Sequence, residues 1–277
     1  DQGQCVAVAG HFLFAAAFGR GVFEHQRITS QFLILPITAI SKPDQRVKPE
    51  NREQSQRQII PVQISTQPMR QFVPQERYES YLSSVSVDVD SGSDFTQLPA
   101  HLRSSEGRER WKARFADADK GVQMVKDYYR LVAGVDEAIG SILQEVARRG
   151  EEENTVVVVV GDNGMMLGEH GLTDKWFPYE VSARVPLIVM DPRMQAAERG
   201  KVSDCLTANI DVSATVLECC GLQTSRRVQG KALIKRGRLA STSRKWMYYE
   251  HHFKHDGIAR SEGIRNQREA YFWYPDF

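Results

Sequence analysis

Two oxygen-bearing side chains, Asp162 and Asn163, follow a run of valines at residues 156–160 with only Gly161 between, and Lys175 comes a short distance later. A carboxylate and an amide carbonyl are hard donors of the kind that Ca²⁺ and Mg²⁺ select. A lysine ammonium is a compact charge suited to an oxyanion. A continuous β-branched run suits a strand buried on both faces of a parallel sheet. In open α/β sheets ligands gather beyond the carboxyl ends of such strands. Asp162 and Asn163 are thus candidate ligand contacts, with Lys175 a candidate for an oxyanion. Each piece also has a plainer reading. Asp162-Asn163-Gly164 is a common turn sequence, because Asn and Gly tolerate positive φ. His170 alone reads as a hydrogen-bonded structural histidine, and Lys175 alone as a solvated surface lysine.

Other groupings carry less. His251, His252 and His255 are spaced so that two imidazoles could share a helical face. No HExxH pattern and no nearby cysteine supports zinc, so contact with a substrate outweighs a metal site among their functional readings. Residues 88–94 read Asp-Val-Asp-Ser-Gly-Ser-Asp, but the spacing departs from an EF-hand and no glutamate closes the loop. A solvated turn is expected there. Cys5, Cys205, Cys219 and Cys220 make neither a disulfide framework nor a zinc pattern. Cys219-Cys220 is expected to face the core at the end of a helix.

The elements that must position these residues follow from periodicity. Val125, Tyr128, Val132, Val135, Ile139, Ile142 and Val146 recur in steps of three and four, which is one apolar helical face. Gly150 is placed to end that helix. Packed on the valine strand, the helix makes an αβ unit. Residues 186–190 read as a second buried strand and residues 212–220 as another helix, with Asp211 as its cap and Gly221 as its end. The alternation predicts an α/β fold: a mixed, largely parallel sheet flanked by helices.

A chain of 277 residues is long enough for one sizeable domain or two small ones. Hydrophobic residues make up 41% and charged residues 26%, which suits a soluble globular protein. A net charge of +1 gives no reason to expect a nucleic-acid partner. Residues 1–76 differ in character, with Gln- and Arg-rich runs at residues 45–57 and no organising period. They are expected to be disordered or unrelated to the rest. Residues 5–23 are fairly apolar, but His11 and Arg20 interrupt them, which argues against a membrane span and for a short isolated helix. No basic leader precedes them, so no signal peptide is expected.

Taken in order, Asp162-Asn163-Gly164, Leu167-Gly168-Glu169-His170-Gly171, Lys175, Tyr179-Glu180 and Arg184-Val185-Pro186-Leu187-Ile188-Val189 resemble the central block of the type I sulfatases, within the alkaline-phosphatase-like superfamily. Upstream, Tyr128-Tyr129-Arg130, Val135-Asp136 and Ile139-Gly140 resemble the helix before this strand. Downstream, Asp211-Val212 with Gly221 resembles a later helix. Tyr249-Glu250 and Arg260-Ser261-Glu262-Gly263-Ile264-Arg265 resemble the segment that leads into the C-terminal subdomain. The resemblance runs over residues 77–277, which sets a boundary after residue 76.

The resemblance implies that Asp162 and Asn163 are two ligands of an active-site metal, Ca²⁺ or Mg²⁺. It implies that Lys175 binds the sulfate group and neutralises charge developing in the transition state. His170 takes a supporting position beside them. The substrate would be a sulfated small molecule or glycan. The family's nucleophile is a formylglycine made from Cys or Ser in a Cys/Ser-x-Pro-x-Arg signature, and no cysteine here is followed by a residue and then proline. Ser41-Lys42-Pro43-Asp44-Gln45-Arg46 has its arginine one place too late, and no Asp-Asp pair occurs to complete the metal shell. The fold is therefore expected to be incomplete in its N-terminal half and its C-terminal subdomain. The chain, which does not begin with Met, is expected to be a fragment, impaired as a sulfuric ester hydrolase. The alternatives are a non-catalytic remnant and a phosphonate or phosphodiester hydrolase of the same superfamily.

Overall fold

The computed structural model describes the backbone of residues 6–7, 31–38, 58–59 and 62–65, and residues 72–90, 92–222, 227–240, 244–253 and 255–277 with their side chains. In chain order the strands are β1 (Val6–Ala7), β2 (Gln31–Thr38), β3 (Gln58–Ile59), β4 (Val62–Ser65), β5 (Thr155–Gly161), β6 (Met166–Leu167), β7 (Thr173–Asp174), β8 (Leu187–Met190), β9 (Ile234–Lys235), β10 (Arg238–Leu239), β11 (Met247–His251), β12 (Ser261–Arg265) and β13 (Ala270–Trp273). The helices are α1 (Ala100–Arg103), α2 (Glu106–Arg114), α3 (Ala118–Arg148), α4 (Glu180–Ala183) and α5 (Ile210–Cys219).

The valine strand β5 is buried along its whole length. Val156, Val158 and Val160 point to one side, into a cluster with Val185, Leu187, Val212 and Val216. Val157 and Val159 point to the other, against Ile139, Ile142 and Leu143 of α3. With α5 on one face and α3 on the other, the strand is the middle of three layers, as its composition required. Burying each valine contributes roughly 1.5–3 kcal/mol relative to exposure.

Both long helices end as their glycines foretold. After α3, Gly150 takes φ 68°, its N–H donates to Ala147 O at 2.9 Å and Glu151 N–H to Val146 O at 3.1 Å. After α5, Gly221 takes φ 66°, with Gly221 N–H on Glu218 O and Leu222 N–H on Leu217 O, both at 2.9 Å. Each pair of bonds satisfies carbonyls that the last helical turn leaves open. Cys219 and Cys220 lie buried in the core at the end of α5, and burial pushes the Cys219 thiol up to about 11.

The α/β class holds, but among the described residues the strands do not pair in parallel. The main sheet runs β1-β8-β5-β2-β3, with β4 on β2. β5 is antiparallel to β8, with Val158 opposite Val189, and antiparallel to β2, with Val158 opposite Leu35. A continuous valine run reports burial on both faces, which either direction can satisfy. Between β5 and β8 the chain forms only short elements and no long crossover helix, and an antiparallel return needs none. The backbone of β2 and β4 places parts of residues 1–76 in this sheet. Residues 45–57 and, apart from β1, residues 5–23 lie outside the described residues. Among the described residues no helix is long and apolar enough to cross a membrane.

A second sheet, β11-β12-β13, closes the chain. Its inner face packs Met247, Tyr249 and Phe272 on Ala183, Leu206 and Ala208.

Asp211 does not cap α5 as expected. Asn209 holds the cap position, and Asp211 lies in the first turn with its side chain fully buried. Its carboxylate accepts from Ala208 N–H at 2.8 Å, from Lys231 N–H at 2.7 Å and from both Arg244 terminal nitrogens, the nearer at 2.5 Å. It ties the start of α5 to two later segments. Asp211→Asn should therefore destabilise the chain by roughly 3–5 kcal/mol, because it leaves a buried guanidinium without its counter-charge. Urea unfolding measures this, and a loss within experimental error would mean that the pair is not a structural anchor.

Candidate functional site

β5 delivers Asp162 and Asn163 to the end of the central layer. Asn163 N–H donates to Asp162 Oδ1 at 2.8 Å, and the Asn163 side-chain amide donates to Gly164 O at 2.7 Å. Gly164 is needed for a reason other than the turn chemistry read from the sequence. Its φ is not positive, but a Cβ there would lie 2.1 Å from Val181 O and 3.0 Å from the Ser182 carbonyl carbon. Gly164 N–H donates to Ser182 O at 2.8 Å, which sews the strand end to α4.

A short hairpin then carries the chain back. β6 pairs antiparallel with β7, with Met166 opposite Asp174, and Thr173 Oγ1 donates to Met166 O at 2.9 Å. Lys175 follows directly on β7, so the hairpin returns it to the end of β5. Burial pushes its ammonium below the usual lysine range, while the carboxylates of Asp162 and then Asp174 act in the opposite sense. Ser182 Oγ donates to Lys175 O at 2.8 Å. Lys175 is thus a shielded cation within electrostatic reach of Asp162, and the solvated-surface reading does not describe it.

His170 and Asp174 both adopt left-handed backbone, with φ 57° and 74°. His170 is tied down by the acidic segment that was expected to be a solvated turn. Asp94 Oδ2 lies 2.6 Å from His170 Nδ1, and Asp90 Oδ2 accepts from His170 N–H at 3.2 Å. The imidazole also stacks on Tyr179, with ring centroids 4.5 Å apart. Around the same loop, Arg108 donates to Gly171 O at 3.0 Å and Trp111 Nε1 to Gly168 O at 3.1 Å. Asp90, Asp94, Arg108 and Trp111 therefore form a clasp over residues 168–171. Sequence reading missed it because the partners lie about 60–80 residues apart and no local pattern announces such pairs.

Tyr128 feels the charge of this group from α3. Spacing placed it on the apolar stripe of α3, yet burial together with the charges of Tyr129, Asp162 and Glu169 holds its phenol above the ordinary range. Sequence reading also singled out the three late histidines. They do not share a helical face: His251 ends β11 and His255 forms a bridge with Ile258 across a turn. Phe253 lies between them, its ring stacked on that of His255 at 6.1 Å. His252 instead approaches Glu250 at 3.3 Å.

The donor chemistry of Asp162 and Asn163 suits a hard divalent cation, but two oxygens are a minority of the six to eight that Ca²⁺ takes. Among the described residues no group of three or more His, Cys, Asp or Glu side chains stands ready for a metal. The residues present fit part of a coordination shell.

With the geometry in hand, the relatives are informative. The sulfatase family profile matches residues 46–222, more than half of the chain, and the chain belongs to that family. The match begins well before residue 77. Over 152 residues the chain is 36% identical to an N-acetylglucosamine-6-O-sulfatase of Bacteroides thetaiotaomicron, covering 52% of this chain and 27% of that relative. The matched part thus spans about a quarter of that relative's length. A structure solved in complex with D-glucosamine-2-N,6-O-disulfate superposes with a TM-score of 0.50 at 26% identity, covering 74% of this chain and 46% of that one. A phosphonate monoester hydrolase from Silicibacter pomeroyi shares the fold, with a TM-score of 0.51 at 18% identity, covering 66% of this chain and 44% of its own. The fold is the α/β fold of the alkaline-phosphatase-like superfamily.

The close approach at Gly164 gives a direct check on this geometry. Gly164→Ala should cost about 1–3 kcal/mol, because the methyl group must displace α4 backbone or the end of β5. The melting temperature should fall accordingly. An unchanged value would show that the strand end and α4 are not held this close.

Proposed function

We propose that this chain supplies the sulfate-binding cation and part of the metal shell of a sulfuric ester hydrolase. The observation that carries the reading is the return of the shielded Lys175 to the end of β5, within electrostatic reach of Asp162. Lys175 binds a sulfuryl oxygen and offsets negative charge that builds up as the ester bond breaks. Asp162 and Asn163 hold the divalent cation, Ca²⁺ or Mg²⁺, which when bound polarises the sulfuryl oxygens as a Lewis acid. His170, oriented by Asp94 and stacked on Tyr179, supports the loop that carries Lys175. The N-acetylglucosamine-6-O-sulfatase relative favours a sulfated glycan, in particular a sulfated amino sugar, as the substrate.

The sequence lacks a formylglycine signature, so no nucleophilic step is assigned to any residue of this chain. For the same reason the chain alone should hydrolyse esters weakly or not at all while still binding the sulfate group. Calorimetric titration with inorganic sulfate in the presence of Ca²⁺ tests the binding, with Lys175→Ala beside the unmodified chain. Loss of about tenfold or more in affinity is expected for the variant, equivalent to roughly 1.4 kcal/mol. Equal affinities would remove Lys175 from the site. Parallel turnover assays with an aryl sulfate and an aryl phosphodiester separate the sulfatase from the phosphodiesterase reading, and faster phosphodiester cleavage would overturn the first.

A further inference from the structure

Lys175 is bracketed by two residues that the same arginine holds. On its N-terminal side, Asp174 is buried, and its carboxylate receives Arg110 Nη1 on Oδ2 at 2.8 Å and Arg114 Nη1 on Oδ1 at 3.0 Å. On its C-terminal side, the ring of the buried Trp176 lies under the Arg110 guanidinium, 4.6 Å from the ring centroid. Arg110 is itself fixed by Glu106 Oε1 at 2.8 Å, one turn earlier on α2. The Asp174 backbone has φ 74°, a conformation uncommon for a residue with a Cβ, though aspartate visits it more readily than most. A residue in that conformation sets the direction in which the next side chain leaves the main chain.

We propose that Asp174, clamped by Arg110 and Arg114, is the positioning residue for Lys175, fixing its backbone so that the ammonium is aimed at the sulfate group. The proposal rests on the reading that Lys175 binds sulfate. Asp174 does not touch the substrate. Its carboxylate is occupied by the two guanidiniums, and it acts through the main chain of its neighbour. Arg110 completes the device by covering Trp176, so the residues on both sides of Lys175 are anchored to α2.

Sulfate affinity and melting temperature, measured on the whole chain in the presence of Ca²⁺, separate positioning from mere stability. Asp174→Gly removes the anchor yet keeps the left-handed conformation accessible at no steric cost. The variant is expected to fold and to lose sulfate affinity by about tenfold. Arg114→Gln should lose affinity likewise, whereas Arg114→Lys, which retains a charge for Asp174, should stay within about threefold of the unmodified chain. Circular dichroism confirms that each variant is folded. If Asp174→Gly and Arg114→Gln bind sulfate as well as the unmodified chain while Lys175→Ala does not, Asp174 is only structural and the proposal is overturned. If Lys175→Ala also binds normally, the sulfate-site reading falls and the positioning role falls with it.

Discussion

A strand of consecutive valines buried on both faces has no preference of its own for one register over the next, because a slip by one residue exchanges valine for valine. The register of β5 must therefore be fixed at its ends. At the start, Thr155 is fully buried and its hydroxyl donates to Glu151 O at 2.8 Å. At the finish, Gly161 sits where a Cβ would be only 3.1 Å from Val185 Cβ. A slip toward the C-terminus would bring Val160 into that space and force Val185 aside. A slip the other way would put Val156 where the threonine hydroxyl is bonded. These two ends set where Asp162 and Asn163 emerge, and the loop and hairpin that follow take their position from them.

The loop after β5 is held by residues outside its own sequence. Left-handed conformation at a non-glycine residue costs of order 1–3 kcal/mol, and it occurs here twice within five residues, at His170 and Asp174. Each of the two is offset by charged or polar side chains from the preceding segment: Asp90 and Asp94 at the first, Arg110 and Arg114 at the second. At the shielded Asp174 hydrogen bonds to charged groups contribute about 1.5–3 kcal/mol each, while the more exposed contacts at His170 contribute less. The loop's shape therefore depends on α2 and on the turn before it.

Periodicity and glycine placement reported what local physics controls: α3 and its end at Gly150, the end of α5 at Gly221, and the burial of β5. The family motifs reported the order of Asp162, Asn163, His170 and Lys175, though motif order alone does not establish their roles. What stayed hidden was non-local. Strand direction was misread because composition encodes burial and not orientation. Asp211 looked like a cap because a carboxylate before a helix usually is one, while its real partners, Lys231 and Arg244, lie well downstream. Residues 88–94 looked solvated because a local turn satisfies their pattern, as the Gly92 N–H on Asp90 Oδ1 does, while the distant partner of Asp90 and Asp94 is His170. The late histidines suggested a helical face only on the assumption of a helix, and the chain there is a strand leading into a turn.

A lysine carries about 2 kcal/mol of side-chain rotamer entropy, and a mobile ammonium that must be ordered by its ligand gives that much of the interaction back. Electrostatic stabilisation is effective when the charges are already in place before reaction. In the role proposed for Lys175, its partial burial, the Ser182 bond to its carbonyl and the anchoring of both its neighbours to α2 move that ordering cost from binding to folding. The folding cost is in turn spread over a three-layer core that contains β5. A lysine at the right distance from an Asp-Asn pair is only a sequence motif. The helix of residues 106–114, which carries none of the motif, anchors the residues on both sides of that lysine.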